Sequence, residues 1–307
     1  MNPRSLLLTT LTCLSLQAAD FDIKEPGQFH KIIPESARVQ RLGSGMGFLE
    51  GPVWNTADGG FLIFSDIPNN ELKKWLPEGF ISTFRRPSQN ANGNTIDLQG
   101  RLLTAEHSGR RVSMTGLDGN VSTLVDQYNG KKFNSPNDVV AKSDGTVWFT
   151  DPDYGLGKNP KEQDGNYVYR FDPKTKEIQA VIKDFDKPNG LCFSPDERKL
   201  FVADSGKPHH IRVFEVTGQG AHGGKVFCVI DKGGPDGIRA DADGRIWSSA
   251  GDGVHIFGED GKLIGKILVP ETPANLCFGG TDGKRLFITA RNSLYAIQTL
   301  AKAPRRP

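Results

Sequence analysis

Acidic and amide side chains stand at six recurring points of this 307-residue chain, each at the start of a short apolar run. Their oxygens are hard ligands, so a set of them brought together would suit a divalent cation such as Ca²⁺. Zn²⁺ prefers His and Cys instead. Each Asn or Asp taken alone is typical of a turn, where it bonds its own backbone. The residues are Glu50, Asn94, Asn137, Asn189, Asp236 and Asn275.

These points belong to a sequence repeat in which an apolar run, a D-G or D-x-x turn and a second apolar run follow one another. The copies start at GPVW, GNTIDL, PNDVVA, PNGLCF, PDGIRA and PANLCF. With Pro52, Asn94, Pro136, Pro188, Pro235 and Pro273 as anchors, the steps are 42, 42, 52, 47 and 38 residues. A period near 40 with several short strands per unit is typical of a β-propeller.

The repeat therefore predicts an all-β, six-bladed β-propeller formed by one domain over residues 20–300. The last unit is one strand short, and residues 37–43 form an unassigned strand, so we expect this N-terminal strand to close the last blade. Residues 301–307 are expected to be a solvated tail. Residues 153–165, rich in Gly, Pro and charge, are expected to form a lid beside the site.

Residues 1–19 contain Arg4 and then an apolar stretch too short to span a bilayer, which predicts a signal peptide cleaved near Ala18 or Ala19. We therefore expect export to the periplasm or the medium. Cys192, Cys228 and Cys277 lie in apolar runs and are expected to be buried free thiols. The formal net charge of +2 gives no electrostatic reason to expect nucleic acid or an anionic membrane as a partner.

The first strand of each unit should line the central channel, which gathers the six oxygen-bearing residues at one end. The antiparallel second strand ends at the same face and brings Glu106, His107 and Asp151 there. Most acidic residues at these ends are expected to bond backbone amides. His107 is a candidate general base or substrate-orienting group, or simply a hydrogen-bonded rim histidine. Asp151 and Tyr154 adjoin the long loop and are candidates for ligand contact.

Several motifs in order resemble the senescence-marker-protein/gluconolactonase family, also called regucalcin-like. They cover about residues 40–298 and are LEGPVW, EHSGRRV, FNSPNDVVAKSDGTVWFTDPDYG, KPNGLCFSPDERKLFVADS and PDGIRADADGRIW. The resemblance implies a six-bladed propeller that hydrolyses sugar lactones with a divalent cation, Ca²⁺ foremost and Zn²⁺, Mg²⁺ or Mn²⁺ as alternatives. It implies that Glu50, Asn137, Asn189 and Asp236 hold the cation, with Asp236 also acting as base or nucleophile.

Two departures from the family pattern concern substrate contacts. Ser135 stands where some members have an Arg for sugar hydroxyls, and Asp153 stands where the bacterial motif has Pro. The candidate substrate-binding residues are Asn94, Glu106, Ser135, Asp151 and Tyr154.

In the expected mechanism, the cation polarises the lactone carbonyl and Asp236, or His107 through water, accepts a proton from the attacking water. A phosphotriesterase-like hydrolase and a non-catalytic propeller that binds sugar or peptide are the alternatives. The particular lactone, the physiological metal and the oligomeric state stay open.

Overall fold

Six antiparallel sheets surround a central axis in a computed structural model that describes residues 20–218 and 220–304. The first strand of each sheet contacts the first strand of the next, and the sixth sheet contacts the first. The prediction of a closed six-bladed propeller is therefore confirmed. The expected signal peptide, including Cys13, lies outside the described residues. No helix in the described ranges is long and apolar enough to cross a membrane.

The blades are numbered in chain order, and their strands are given from the innermost outwards. Blade 1 comprises Leu49–Asn55, Phe61–Asp66, Glu71–Trp75 and Ile81–Arg85. Blade 2 comprises Ala91–Ile96, Leu102–Glu106, Arg111–Thr115 and Val121–Val125. Blade 3 comprises Val139–Ala141, Val147–Asp151, Tyr167–Phe171 and Ile178–Ile182. Blade 4 comprises Pro188–Phe193, Lys199–Asp204, His210–Thr217 and Gly220–Val229. Blade 5 comprises Ile238–Ala240, Ile246–Ser249, Gly253–Phe257 and Leu263–Leu268. Blade 6 comprises Pro273–Gly279, Arg285–Ala290, Ser293–Gln298 and Gln40–Gly43.

The N-terminal residues complete two blades. Gln40–Gly43 pairs antiparallel with Ser293–Gln298, so the expected closure of the last blade by an N-terminal strand is confirmed. A preceding strand, Phe21–Ile23, adds a fifth strand to blade 5 and was not expected. The α-helix Pro26–Phe29, the 3₁₀ turn Ala57–Gly59 and the two-stranded ribbon of Gln127–Tyr128 with Lys131–Lys132 complete the elements described here.

Apolar side chains fill the space between neighbouring blades. Six separate clusters of buried residues occur, one for each pair of adjacent blades, and the cluster between blades 5 and 6 includes Phe29. β-Branched and aromatic residues that alternate along a strand supply these faces. The three cysteines within the described ranges are buried and free, which confirms that expectation.

The D-G and D-x-x turns close the inner hairpin of each blade at the face of the propeller opposite the inner-strand starts. In all six, an Asn or Asp side-chain oxygen accepts a hydrogen bond from the backbone N–H two residues later. The acceptors are Asn55, Asp97, Asp144, Asp196, Asp241 and Asp282. These hairpins fix the length of each inner strand and thus the place at which it starts.

The described part of the C-terminal tail, residues 301–304, is not solvated along its length. Ala301 is buried, and the carbonyl of Lys302 accepts a hydrogen bond from the Ala242 amide at 2.8 Å. Ala303 and Pro304 line a cavity of about 260 Å³ at this end of the channel, together with Arg239. The tail therefore packs against the hairpin face of the propeller.

Candidate metal and substrate site

The starts of the six inner strands meet at the face opposite the hairpins, which we call the mouth. Strand register defines the equivalent positions in four blades, because Leu49, Ala91, Pro188 and Pro273 each pair with the last residue of the second strand and directly precede the residue at the mouth. In blades 3 and 5 the equivalent residues donate their amides to the second strand, Asn137 to Thr150 and Asp236 to Ser249. These residues, the mouth ring, are Glu50, Asn92, Asn137, Asn189, Asp236 and Ala274.

Hydrogen bonds between blades hold the mouth ring in place. The carbonyl of Asn137 accepts from Gly93 of blade 2, and the carbonyl of Asp236 accepts from Gly190 of blade 4. Neighbouring strands approach so closely that a Cβ at Gly190 would lie 2.3 Å from the Asp236 carbonyl oxygen. At Gly51 a Cβ would lie 2.0 Å from the Asn92 carbonyl oxygen, and its φ of +48° also favours glycine. This packing explains the E-G, N-G and D-G pairs of the repeat.

All four predicted cation ligands belong to the mouth ring. Glu50, Asn137 and Asn189 are each at least 94% buried, and Asp236 is partly buried. One Glu50 oxygen, Oε2, accepts from its neighbour Gly51 at 2.7 Å. The Asn189 carboxamide donates to Asp236. The inner strands thus bring two carboxylates and two carboxamides to one level of the channel.

Two other predicted ring members, Asn94 and Asn275, lie deeper than the mouth ring. Asn94 is two residues further along its strand, where its Nδ2 donates to the Gly51 carbonyl and its Oδ1 accepts from Thr104. With both ends occupied and 1% of its surface exposed, it joins blades 1 and 2 rather than contacting substrate. Asn275 is one residue further along and donates from Nδ2 to Glu50 Oε2 at 2.9 Å.

The acidic residues at the second-strand ends are structural. Asp151 is fully buried and accepts from the backbone amides of Asn134 and Ser135, and Asp66 and Asp204 likewise bind backbone amides. This confirms the expectation that most of these acids bond backbone. The sequence also predicted that Asp151 contacts substrate. The structure does not support this contact, because both carboxylate oxygens of Asp151 already accept hydrogen bonds from backbone amides.

Glu106 and Ser135, also predicted to bind substrate, have their polar atoms engaged inside the protein. Glu106 is fully buried and forms ion pairs with Arg85 and Arg111. Ser135 is fully buried as well, and its hydroxyl donates to the Pro152 carbonyl and accepts from the Gly155 amide. The structure therefore gives both residues a role in holding loops and strands together.

The long loop after blade 3's second strand is fastened at several points. Glu162 accepts from Arg110 and from the Lys132 amide, and Gln163 donates to three carbonyls of the preceding ribbon. Asp153, the departure from the family motif, forms ion pairs with Lys161 and Lys187. The expected lid is thus pinned to its neighbours in this structure.

Tyr154, carried by the same loop, is the predicted substrate residue that stays available. Its side chain is 47% exposed and lies 5.7 Å from the Lys187 ammonium, measured to the ring centroid. Burial raises the pKa of its hydroxyl to about 12, while the Ser205 side chain bonds it and Asp236 lies close enough to raise it further. Tyr154 thus extends from blade 3 towards the mouth ring.

Burial and like charge make the mouth strongly receptive to positive charge. Burial raises the pKa of Glu50 to about 7, and the Asp138 carboxylate adds to this shift. Burial raises the pKa of Asp236 well above its ordinary value, followed by repulsion from Glu50 and Asp138. One cation, Arg239, bonds Asp138 at 3.0 Å. In its ionised form the site has three carboxylates facing one guanidinium, which leaves two negative charges for a bound cation to balance.

The residues present fit a divalent cation. Their donors are oxygens, and the uncompensated charge of the site matches that of one such ion. Within residues 20–218 and 220–304, no group of three His, Cys, Asp or Glu side chains is placed to hold a metal ion. The site would therefore use the mixed carboxylate and carboxamide set of Glu50, Asn137, Asn189 and Asp236, which is unsuited to zinc's preference for His and Cys.

Asn92 is the mouth-ring residue that the sequence reasoning missed. Choosing Asn94 of the motif N-G-N as the anchor placed the polar position two residues late. The signal that could have found Asn92 is the glycine that follows it, because Glu50, Asn189 and Asp236 also directly precede a glycine. Asn92 is 4% exposed, and its Nδ2 lies 3.1 Å from Nε2 of His107.

His107 lies beside the mouth but is buried. Its side chain is 8% exposed, and burial lowers its pKa to about 4, so the imidazole is neutral near pH 7. The backbone of Gly155 covers the ring so closely that a Cβ there would lie 2.3 Å from Cγ of His107. The histidine thus lies between the long loop and Asn92.

Comparison with known proteins gives consistent relatives for this arrangement. The family described as "SMP-30/Gluconolactonase/LRE-like region" matches residues 48–292. A gluconolactonase of Zymomonas mobilis is 33% identical over 297 residues, which cover 87% of this chain and 83% of that protein. A solved gluconolactonase from Xanthomonas campestris superposes with a TM-score of 0.87 at 33% identity, covering 92% of this chain and 95% of that one.

A more distant structure shows the fold alone. The calcium-binding regucalcin of Agrobacterium tumefaciens strain C58 superposes with a TM-score of 0.74 at 21% identity. The match covers 88% of this chain and 96% of the other. At this level of sequence identity, the similarity extends to the propeller fold and not to the chemistry of the site.

Proposed function

Because the chain belongs to the SMP-30/gluconolactonase/LRE-like family, we propose that it hydrolyses the ring ester of sugar lactones with the help of a divalent cation, Ca²⁺ foremost. The observation that carries the proposal is the mouth ring itself. Two carboxyl groups and two carboxamides lie there at one level, and in the ionised form the site has two negative charges that Arg239 does not balance. A surface that only bound a sugar or peptide would have no need of this costly buried charge.

Glu50, Asn137, Asn189 and Asp236 would hold the cation, which when bound would supply Lewis-acid polarisation of the lactone carbonyl. Asp236 accepts a proton from the water that attacks the carbonyl carbon. The ester C–O bond then breaks, and the ring oxygen leaves as an alcohol after it receives that proton. Tyr154 contacts the substrate from above the mouth.

The test is a panel of lactones assayed by acid release, with glucono-1,5-lactone as the first substrate and a paraoxon-type ester beside it. We expect lactone hydrolysis that EDTA removes and Ca²⁺ restores. Preferred turnover of the phosphotriester would favour the phosphotriesterase-like alternative. Absence of turnover on both substrates, with cation present, would favour a non-catalytic propeller.

Export is a separate proposal, supported by the composition of residues 1–19. N-terminal sequencing of the protein purified from its native host would test it. A mature chain that begins near Asp20 is the expected result, and an intact Met1 would contradict it.

A further inference from the structure

We propose that Asn92 positions the substrate by accepting a hydrogen bond from a ring hydroxyl of the lactone, and that His107 holds the Asn92 carboxamide for this task. The inference rests on the proposed function and assigns the hydroxyl-recognising part of the same site. It also gives His107 a positioning role in place of the general-base role considered from the sequence.

The first observation is an unsatisfied buried oxygen. Asn92 occupies the mouth-ring position of blade 2 and is 4% exposed, and its Oδ1 has no hydrogen-bond partner. A buried polar atom without a partner costs stability. Seven side-chain atoms of the described residues are buried in this way, and Asn92 Oδ1 is the one that belongs to the mouth ring. A ligand that enters the mouth and donates a hydrogen bond would remove this cost.

The second observation fixes the orientation of the carboxamide. Nδ2 of Asn92 lies 3.1 Å from Nε2 of His107 and can only donate, so Nε2 accepts and the neutral imidazole carries its proton on Nδ1. The two ends of a carboxamide point in different directions, so the oxygen is left for another partner. His107 is itself fixed, because Gly155 packs on its ring and the Gly155 amide donates to Ser135.

The third observation is that the proposed cation site leaves Asn92 unassigned. The four proposed ligands, Glu50, Asn137, Asn189 and Asp236, come from blades 1, 3, 4 and 5. Of the other two mouth-ring residues, Ala274 has no polar side-chain atom. Asn92 is therefore the polar mouth-ring residue that lies outside the proposed cation site.

Because the free atom of Asn92 is a carboxamide oxygen, it binds groups that donate a hydrogen bond. A carboxamide oxygen accepts from a neutral hydroxyl but finds no proton on a carboxylate or a phosphate at neutral pH. Asn92 therefore favours lactones with hydroxyls on the ring over lactones without them. A site with a dedicated hydrogen-bond partner rejects an analogue that lacks the group, because its own polar atom is left unpaired.

The test compares glucono-1,5-lactone with δ-valerolactone, which has the same ring without hydroxyls, using the full-length protein loaded with Ca²⁺. We expect Asn92→Ala to lower kcat/KM roughly 10- to 100-fold for the hydroxylated lactone and less than about 3-fold for the other. His107→Ala should have the same selective effect. His107→Gln should restore activity, because its Oε1 can accept from Asn92 although it does not titrate.

Asn120→Ala, in an exposed turn of the same blade, is the matched control. Calcium affinity measured by calorimetry should be the same in all these variants. Equal losses on both lactones, or weakened calcium binding in Asn92→Ala, would overturn the substrate-positioning role. If His107→Gln lost activity on both lactones, the result would indicate that His107 acts as a general base and not as a positioning residue.

A binding measurement separates this inference from the proposed function. Glucono-1,5-lactam carries the same ring hydroxyls without a hydrolysable ester, and δ-valerolactam is its bare counterpart. If the wild-type protein binds the first lactam but hydrolyses no lactone, the proposed reaction fails and the role of Asn92 can still be read from a selective loss of affinity. If Asn92→Ala binds the hydroxylated lactam as tightly as wild type, the inference fails.

Discussion

The two ends of the inner hairpins carry the same kinds of residue and use them differently. At the hairpin face, Asn and Asp oxygens accept from backbone amides two residues later in all six blades. At the mouth, Glu50 is buried and Asp236 partly buried, both have raised pKa values, and Asn92 keeps an unpaired oxygen. The turn residues stabilise the fold, whereas the mouth residues cost stability that only a ligand can offset.

Asp236→Asn gives the largest expected effect. The variant loses the proton acceptor and one of two uncompensated charges, so kcat for lactone hydrolysis should fall roughly 10²- to 10⁴-fold. Without cation, the variant should be at least as stable as wild type, because a buried carboxylate is removed. Acid release and thermal unfolding measure the two quantities. Full activity in the variant would show that Asp236 is not the base.

The pH dependence of stability should differ between the cation-free wild type and Glu50→Gln. The pKa of Glu50 is raised from 4.5 to about 7, so the native carboxyl keeps its proton after the unfolded chain has released it. Its contribution therefore lowers stability as pH rises from 4.5 to 7. We expect Glu50→Gln to gain about 3 kcal/mol relative to wild type between pH 4.5 and pH 8.

Urea unfolding in EDTA at both pH values measures that gain, and saturating Ca²⁺ should remove it by favouring the ionised carboxylate of the wild type. A difference between the two proteins that does not change with pH would contradict the assignment of Glu50 as a buried carboxyl with a raised pKa.

Asp282→Ala at the hairpin face should give the smallest effect. It removes the acceptor for the Lys284 amide and for the Gln298 side chain, at a cost of about 1 kcal/mol of unfolding free energy. Lactone hydrolysis should be unchanged when assayed well below the melting temperature. If kcat of Asp282→Ala fell as far as that of Asp236→Asn, the hairpin face could no longer be described as purely structural.

The repeat in the sequence was sufficient to predict the number of blades and the closing strand, because period and strand count follow from local patterns. It was not sufficient to align every blade at the mouth. Register shifts do not explain the two misplaced residues, because the inner strands of blades 1 and 4 have them as well. Asn94 was placed in the ring because its motif offers a second Asn two residues after Asn92. Asn275 was placed there because the mouth position of blade 6 is the apolar Ala274, next to it in the chain.

The partners of buried polar groups were also beyond sequence reasoning. Ser135 and Glu106 have types that suit substrate contact, yet their partners come from loops and strands up to about 20 residues away. Only the packed structure shows that these oxygens are used. The same packing left Asn92 Oδ1 unused, which no pattern of spacing could reveal.

The closure of the ring has a consequence for how the protein is made. Blade 6 takes its outer strand from residues 40–43 and the other three from residues 273–298, so it cannot form until residue 298 has been synthesised. The hydrogen bond from Asn275 to Glu50 joins residues 225 positions apart across this seam. Two of the proposed cation ligands, Glu50 of blade 1 and Asp236 of blade 5, belong to the blades on either side of blade 6. An ion bound by both would act as a clasp, holding together strands from the beginning and the end of the propeller at the last contact to form.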